Sequence, residues 1–398
     1  MFANLDRLGQ RMDELRLDAL VAATAENVYY LTGIPSVGLE IWPHSAQCYA
    51  VVTRDRLGHP HYIANRCDLD QMLDAVPPLD GALGYGPFFR EVPPGVELTD
   101  REERLCRAMF DRPNPATALD ALAETLRRAG VSTGRVAVDE EGVPHGFFDA
   151  LRDALPSAAV LTGAEVLRHA RKVKTPEELR RVAAAAAVAE KGIAAAIAIA
   201  RPGATERQLV REFEREVAAR GGRPKFTLIK FGRSAVSGQA QPRDIALAPG
   251  DSIWFDVGCI VDGYWSDIAR NYCLGAPSPK VAKYYAAMLA GEERGFREAR
   301  PGMTGKELFD ITVEGVREAG VPHYRRHHVG HGIGVEIYDP VLITPTNDDV
   351  IEEGTVVNIE TPYYEFGFGA VHVEDPFVVR AAGNELLTTA DRGLTIID

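Results

Sequence analysis

In the first 160 or so residues, short apolar runs typical of strands alternate with amphipathic stretches typical of helices. Helical spacing of apolar residues covers residues 7–15 and 114–128, and the second of these helices is expected to end before Gly130. Apolar runs predict strands at residues 19–23, 48–53 and 135–138. The proline- and glycine-rich stretch 86–111 predicts a long irregular loop. This alternation indicates an α/β domain.

A second unit is expected to begin near Lys172. Thr175 and Pro176 have the residue types preferred at the N-cap and first position of a helix, and Glu177 and Glu178 follow in its first turn. The alanine-rich pattern then predicts a helix that extends to about Ala200.

The second half contains an internal repeat. The segment ARPGAT at 200–205 recurs as ARPGMT at 299–304, and each copy opens an amphipathic helix that ends near a glycine. Apolar segments at 250–256 and 354–360 follow, each with a leading glycine and a final carboxylate. Two matched pairs in the same order, about one hundred residues apart, predict a duplicated helix-plus-hairpin unit with pseudo-twofold symmetry.

Four carboxylates occupy matched places in this repeat. Asp256 ends the predicted strand 253–255, and an Asp-Gly pair at 262–263 predicts the hairpin turn that brings Asp267 beside it. Glu360 and Glu374 repeat the arrangement in the second copy. The symmetry predicts two hairpins set face to face, with the four carboxylates converging.

Two neighbouring acids are excluded from this set. Asp262 fits the turn itself, and Asp375 points away from Glu374 if the segment is a strand. Four buried carboxylates raise one another's pKa and cannot all ionise without compensating positive charge. His331 lies between the two hairpins among glycines that permit close packing of the backbone. Four carboxylates and one imidazole predict a two-metal site.

Composition narrows the classes of function. The chain has 44 basic and 57 acidic residues, a net charge of −13, and no basic block, which disfavours binding to nucleic acid or to anionic membranes. It has no apolar stretch long enough for a membrane span, and its first residues lack the apolar core of a secretory signal. The five cysteines are widely spaced without a Cys-x-x-Cys pair, which predicts reduced thiols in a cytoplasmic protein.

With these residues identified, the C-terminal half resembles the pita-bread metallopeptidase family, which includes methionine aminopeptidase, aminopeptidase P, prolidase and non-peptidase relatives. The N-terminal half resembles the creatinase/prolidase-type N-domain through the phrase ENVYYLTG at 26–33. The matching C-terminal segments are 256–258, 263–267, 330–334, 359–360 and 373–375. The expected fold is an α/β N-terminal domain, residues 1–165, and a duplicated α+β pita-bread catalytic domain, residues 166–398.

The resemblance implies a role for each ligand. Asp256 would bind one metal ion, Asp267 and Glu374 would bridge both ions, and His331 and Glu360 would bind the other. A metal-bridging hydroxide would be the nucleophile, and Glu360 would also act as general base or proton shuttle. His327, four residues before His331, would line the pocket. The two divalent ions could be Mn, Co, Zn or Fe.

Several positions depart from the family pattern. Gln239 and Tyr338 occupy places where the hydrolases usually have histidines that bind the scissile carbonyl. Both side chains have hydrogen-bond donors, so oxyanion stabilisation is not excluded. His372 stands where an arginine that binds a substrate carboxylate is expected, and Thr361 and Pro362 replace the usual Glu-Pro-Gly continuation. We therefore regard His372 and Tyr338 as candidate substrate-binding residues. Trp42, His44 and Tyr30 are candidates from the N-domain, although Tyr30 also fits a role in the core.

These departures leave more than one function open. The default is a dinuclear metal-dependent hydrolase of a small peptide C–N bond, similar to an Xaa-Pro dipeptidase, with a small molecule or short peptide as substrate. The alternatives are a relative acting on a modified amide or amidine, as creatinase or ectoine hydrolase does, and a metal-dependent lyase such as a dimethylsulfoniopropionate lyase. A non-catalytic binding module is disfavoured because all five ligands are present. The resemblance also implies a homodimer.

Overall fold

The computed structural model describes residues 2–111 and 114–398. It divides into two compact units, the first ending at Arg171 and the second covering Lys172–Asp398. The second unit thus begins where the hydrophobic pattern changes, whereas the domain assignment of 1–165 and 166–398 cuts through the helix Ala164–Lys172. Within the described ranges, no helix is both long enough and apolar enough to cross a membrane.

The first unit is a mixed sheet with helices around it. Its helices are α1 (Leu5–Glu14), α2 (Ala25–Thr32), α3 (Val37–Ile41), α4 (Asp100–Phe110), α5 (Ala118–Arg128), α6 (Phe147–Ala154) and α7 (Ala164–Lys172). Its strands are β1 (Ala19–Ala22), β2 (Tyr49–Thr53), β3 (His61–Asn65), β4 (Gly81–Tyr85), β5 (Arg135–Val138) and β6 (Ala159–Thr162). The strand order is β4-β3-β2-β1-β5-β6, in which β2 is antiparallel to both β1 and β3. The predicted α/β character is confirmed.

One predicted loop in this unit is wrong. The stretch 86–111 contains α4, which begins after the N-cap Thr99. The Thr99 side chain accepts a hydrogen bond from the backbone of Glu102, and the Glu102 carboxylate accepts one from the backbone of Thr99. This capping box satisfies donors at the start of the helix that otherwise lack partners. Similarly, α5 begins at Ala118 behind Thr117 rather than at Asn114.

The second unit contains two helix pairs and one large sheet. The helices are α8 (Pro176–Ala198), α9 (Glu206–Ala219), α10 (Pro279–Glu298) and α11 (Gly305–Glu318). The first six strands are β7 (Arg223–Phe231), β8 (Ser252–Val261), β9 (Tyr264–Trp265), β10 (Ile268–Leu274), β11 (Gly330–Gly332) and β12 (Val356–Glu360). The remaining strands are β13 (Tyr363–Glu365), β14 (Gly369–Val371), β15 (Glu374–Val378), β16 (Glu385–Leu386) and β17 (Thr395–Ile397).

The internal repeat is confirmed by local structure. Thr205 and Thr304 are the N-caps of α9 and α11, and each forms a capping box with the residue three positions later. Each threonine also makes an isolated bridge to the segment that precedes a strand of the sheet, Thr205 to Ala246 and Thr304 to Val350. Each copy has its own apolar cluster, formed by side chains of α8, α9, β7 and β8 in one and of α10, α11, β12 and β15 in the other.

The predicted face-to-face arrangement of the two hairpins is wrong. The main sheet has the order β11-β12-β15-β10-β8-β7, so the hairpins join edge to edge. The joint is the antiparallel pair β10–β15, in which Ala269 lies opposite Glu374. Backbone hydrogen bonds between the inner strands make one continuous surface, on which the four acids are neighbours across strands rather than across a gap.

Candidate metal centre

Strand alternation places three of the four candidate acids on one face of the sheet. In β8, Phe255 and Val257 belong to an apolar cluster with the helices, and Asp256 between them points to the opposite face. In β12 and β15, Ile359 and Phe377 pack with the helices in the same way. Because side chains alternate, Glu360 and Glu374 also point away from the helices.

The pairing register brings these acids close together. The turn predicted at Asp262 and Gly263 has φ values of 47° and 77°, both in the left-handed region that this kind of hairpin needs. Asp256 lies opposite Ala269, two residues after Asp267, and Glu360 lies directly opposite Glu374. Asp256 is in the middle of β8 rather than at a strand end, because this strand continues to Val261.

Asp375 faces away from the acid cluster, as predicted. Its Oδ1 accepts a hydrogen bond from Arg270 Nη2 at 2.6 Å, and both side chains are buried. Thr388 also donates to this carboxylate oxygen. The negative charge of Asp375 is therefore balanced by Arg270, and Thr388 donates a further hydrogen bond to it. Glu374, the preceding residue, points to the other side of the sheet.

His331 is positioned by close backbone packing. Its strand β11 pairs with β12, so that His331 lies opposite Asn358. Gly330 has φ 147°, and a Cβ there would lie 2.4 Å from the Asn358 carbonyl oxygen, so only glycine fits. His331 Nδ1 donates to the Gly332 carbonyl at 2.9 Å, which leaves the lone pair on Nε2. Nε2 lies 3.6 Å from Asp267 Oδ2 and 3.9 Å from Glu374 Oε1.

Two groups of three side chains have the spacing of a metal site. Asp267, His331 and Glu374 form one, and Glu360, His372 and Glu374 form the other. In each group the ligand atoms lie within 4.8 Å of one another, and all of these side chains are buried. Glu374 belongs to both groups, which makes it the shared member.

The electrostatics of the cluster fit bound cations. Burial, followed by the charges of Asp267 and Glu360, raises the pKa of both Asp256 and Glu374 well above the usual range. Burial also raises the pKa of Asp267, although His331 opposes it. Oδ1 of Asp267 has no hydrogen-bond partner among the described residues. Carboxylate oxygens with uncompensated charge beside an imidazole nitrogen are the donor set of a divalent transition-metal site, so the residues fit the predicted metals.

Glu360 has a different environment from the other acids. Its Oε1 lies 2.5 Å from His328 Nε2, and its Oε2 lies 3.5 Å from His372 Nε2. Burial acts to raise the pKa of Glu360, but the two neighbouring histidines outweigh it and hold the pKa well below its usual range. The two histidines therefore favour the ionised form of Glu360.

His328 is the functional neighbour that the sequence analysis missed. The spacing from His331 favours His327. In the structure, however, His327 is exposed, and its ring centroid lies 4.2 Å from that of His328. Two adjacent histidines could have prompted both to be considered. The segment between Tyr324 and Val329 is irregular, so no strand or helix periodicity distinguishes one ring from the other.

Tyr338 covers one face of His331. The two rings stack with centroids 3.9 Å apart and planes 15° from parallel. The Tyr338 hydroxyl lies 3.4 Å from His328 Nε2, and the residue is 48% exposed. Burial and the Glu360 charge raise the pKa of Tyr338, so the hydroxyl stays protonated and can donate.

The remaining residues that the sequence analysis proposed as catalytic or substrate-binding lie in several different environments. Gln239 follows the 3-10 helix Gly232–Ser237 and is exposed, with no hydrogen bond from its side chain to another described residue. Trp42 belongs to the first unit, is 56% exposed, and lines a cleft of about 330 Å³ there. His44 is exposed, whereas Tyr30 is buried and its hydroxyl accepts a hydrogen bond from the backbone of Asn4. His372 lies inside the acid cluster.

Comparisons with known proteins identify the family. Residues 180–381 match the model of metallopeptidase family M24, and residues 4–78 match the creatinase/prolidase N-terminal domain. The chain is 29% identical to an Xaa-Pro dipeptidase of Lactobacillus helveticus over 70% of this chain and 77% of that protein. It is 32% identical to an Xaa-Pro dipeptidase of Pyrococcus furiosus over 58% of this chain and 67% of that protein.

A solved structure has the same fold. An X-Pro aminopeptidase from Thermotoga maritima superposes with a TM-score of 0.77 at 22% identity, covering 98% of this chain and 99% of that one. This likeness confirms the predicted fold, an α/β N-terminal domain followed by a pita-bread domain. The family match, which covers half of the chain, defines a metal-dependent hydrolase. The chain belongs to metallopeptidase family M24.

Proposed function

We propose that this hydrolase is an Xaa-Pro dipeptidase that works with two divalent metal ions. The observation behind the proposal is the convergence of buried carboxylates and two imidazoles, in two groups that share Glu374. The substrate class comes from the curated relatives, several of which are Xaa-Pro dipeptidases. They favour peptide hydrolysis over the modified-amide and lyase alternatives.

The proposed ligands are Asp256, Asp267, His331, Glu360 and Glu374. In this assignment Asp256 binds one ion, Asp267 and Glu374 are shared, and His331 and Glu360 bind the other ion. Glu374 suits a shared role because it belongs to both ligand groups. Mn, Co, Zn and Fe all accept this mixture of oxygen and nitrogen donors.

Divalent ions at this centre would acidify a water molecule and polarise the scissile carbonyl. Glu360 accepts the proton of the attacking water and delivers it to the leaving amine nitrogen. Its Oε1 lies 2.5 Å from His328 Nε2, and this contact fixes the position of the carboxylate for the transfer. The Tyr338 hydroxyl donates to the oxyanion that forms at the carbonyl carbon, with Gln239 as a second candidate donor. His327, His372 and Trp42 are the remaining candidates for contact with substrate.

Metal content and substrate turnover, measured together, test the proposal. Remetallated protein should contain two ions per chain and hydrolyse Xaa-Pro dipeptides in preference to longer Xaa-Pro peptides, creatine, ectoine and dimethylsulfoniopropionate. Asp267→Ala should abolish both ion binding and hydrolysis, whereas the turn variant Asp262→Asn should retain both. Less than one ion per chain, or activity retained in Asp267→Ala, would show that the centre is misassigned.

The setting of the protein is also a proposal. The five cysteines are free, as expected for thiols in a reducing cytoplasm. The net charge of −13 argues against nucleic acid and anionic membranes as partners. A homodimer is proposed from the family resemblance, and sedimentation of the purified chain at several concentrations measures it. We also propose that the predicted domains, residues 1–165 and 166–398, correspond to the two compact units, although the first unit extends to Arg171.

A further inference from the structure

We propose that His372 is a sixth ligand of the metal centre and supplies a second imidazole in addition to His331. The inference rests on the proposed function, because it assumes the same two ions. It changes the nature of the centre, whose assigned ligand set contains His331 as its only nitrogen donor. It also gives His372 a different role from the substrate contact expected from sequence.

The position of the ring supports ligation. His372 Nε2 lies 3.5 Å from Glu360 Oε2 and 3.6 Å from Glu374 Oε2. Ions of this kind bind nitrogen and oxygen at about 2.0–2.2 Å, so two ligand atoms of one ion lie roughly 3.0–3.5 Å apart. The three atoms therefore already have nearly the separation that one shared cation imposes.

The ring is held in this position by the fold. The backbone N–H of His372 donates to Asn271 Oδ1 at 2.8 Å. The imidazole stacks on Trp254, with ring centroids 6.0 Å apart and planes 23° from parallel. Only 1% of the residue is exposed. A buried side chain whose backbone is anchored and whose ring packs against Trp254 is preorganised, so little freedom is lost when it binds an ion.

The two ring nitrogens of His372 are buried without hydrogen-bond partners among the described residues. Buried polar atoms in folded proteins are nearly always satisfied. A cation held between Glu360 and Glu374 would satisfy Nε2 and neutralise both carboxylates at once.

The two groups of neighbouring ligand atoms have the same composition. One contains Asp267, His331 and Glu374, and the other contains Glu360, His372 and Glu374. Each has one imidazole and the shared carboxylate. The second nitrogen donor shifts the preference of the centre toward Co, Zn or Fe and away from Mg or Mn, which prefer oxygen ligands. The competing role for His372 is that of a protonated hydrogen-bond donor to the two glutamates.

X-ray absorption spectroscopy of the full-length protein, loaded with two equivalents of cobalt, distinguishes these roles. If His372 is a ligand, the wild type has on average one imidazole per cobalt ion. His372→Gln and His331→Gln should each have half an imidazole per ion, and His323→Gln, which removes an exposed histidine of the same unit, should match the wild type. Half an imidazole per ion in the wild type, unchanged in His372→Gln, would overturn the proposal.

Metal titration provides a second readout. Removal of a ligand should weaken one of the two cobalt affinities at least tenfold in His372→Gln while the other is retained. Equal affinities in His372→Gln and wild type would contradict ligation. Failure of the proposed function looks different, because a protein with two ions and two imidazoles that hydrolyses no Xaa-Pro dipeptide loses its assigned substrate and keeps its sixth ligand.

Discussion

At the residue scale, Tyr338 combines two roles that a substitution can separate. Its ring covers His331 and its hydroxyl can donate to a developing oxyanion. Tyr338→Phe keeps the ring and removes the donor, so kcat/KM for an Xaa-Pro dipeptide should fall by roughly 10²-fold. The metal content should stay at the wild-type value, because the ring still shields His331.

Tyr338→Ala is the matched comparison for this experiment. It removes both the ring and the hydroxyl, so metal affinity should fall along with turnover. If Tyr338→Phe has wild-type kcat/KM, the hydroxyl has no part in the reaction. A loss of metal in Tyr338→Phe would mean that the hydroxyl acts on the ligands and not on the substrate.

Glu178 is a buried acid outside the metal centre. Only 1% of it is exposed, and burial raises its pKa to about 7 against the opposing effects of the Thr175 backbone and Lys174. Its folded-state pKa lies above the usual value of 4.5 for a glutamate, so its contribution to stability is present below pH 4.5 and is lost as pH rises through about 7. Tyr264 donates a hydrogen bond of 3.2 Å to this carboxyl group.

Glu178→Gln should remove this pH dependence. Glutamine can still form the capping box with Thr175, so the start of α8 is retained. Between pH 5 and pH 8 the wild type should lose about 2–3 kcal/mol more unfolding free energy than the variant does. Urea unfolding at both pH values measures the difference. Parallel losses in the two proteins would show that Glu178 titrates in its ordinary range.

At the element scale, the repeat predicts that equivalent caps have equivalent energies. Thr205→Ala and Thr304→Ala each remove the side-chain acceptor at the start of a helix, and each should lower the unfolding free energy by about 1 kcal/mol. The double variant should show the sum, because the two caps belong to different apolar clusters. Urea unfolding of the four proteins tests this, and a clear departure from additivity would contradict independent repeats.

Those caps also explain which elements the sequence could predict. Thr175, Thr205 and Thr304 precede long periodic patterns, so both the cap and the helix were recognisable. Helix α4 follows the same rule at Thr99, but the prolines and glycine before it dominated the local composition. Its exposed surface, with Met109 as its buried residue, also gives little apolar periodicity.

The sequence predicts those parts of the site that depend on residues close together in the chain. The Asp-Gly turn and the strand alternation bring together Asp256 and Asp267 and separate Glu374 from Asp375. The edge-to-edge joint depends on the pairing of Ala269 with Glu374, about one hundred residues apart in sequence, and spacing alone does not specify such pairing. The choice between His327 and His328 depends on an irregular segment without a period.

At the scale of the whole molecule, the second unit has the features of an independent domain. Its two apolar clusters contain only its own residues, as does the candidate metal centre. Its first residues are integrated into its structure. Val173 bridges Thr355, the Lys174 backbone donates to Gly354, and Lys174 Nζ lies 3.1 Å from Asp339 Oδ2 with both side chains buried.

Two fragments test where this domain begins. The fragment 172–398 retains the pairing of Val173 and the Lys174–Asp339 ion pair, so it should unfold cooperatively and bind two cobalt ions. The fragment 176–398 lacks this pairing and the Thr175 cap, and its unfolding free energy should be lower by at least about 3–5 kcal/mol, because a buried Asp339 loses its cation. Calorimetry and cobalt titration compare the two fragments. Equal stability would mean that residues 172–175 are not part of the folding unit, and failure of 172–398 to bind metal would mean that the centre depends on the first unit.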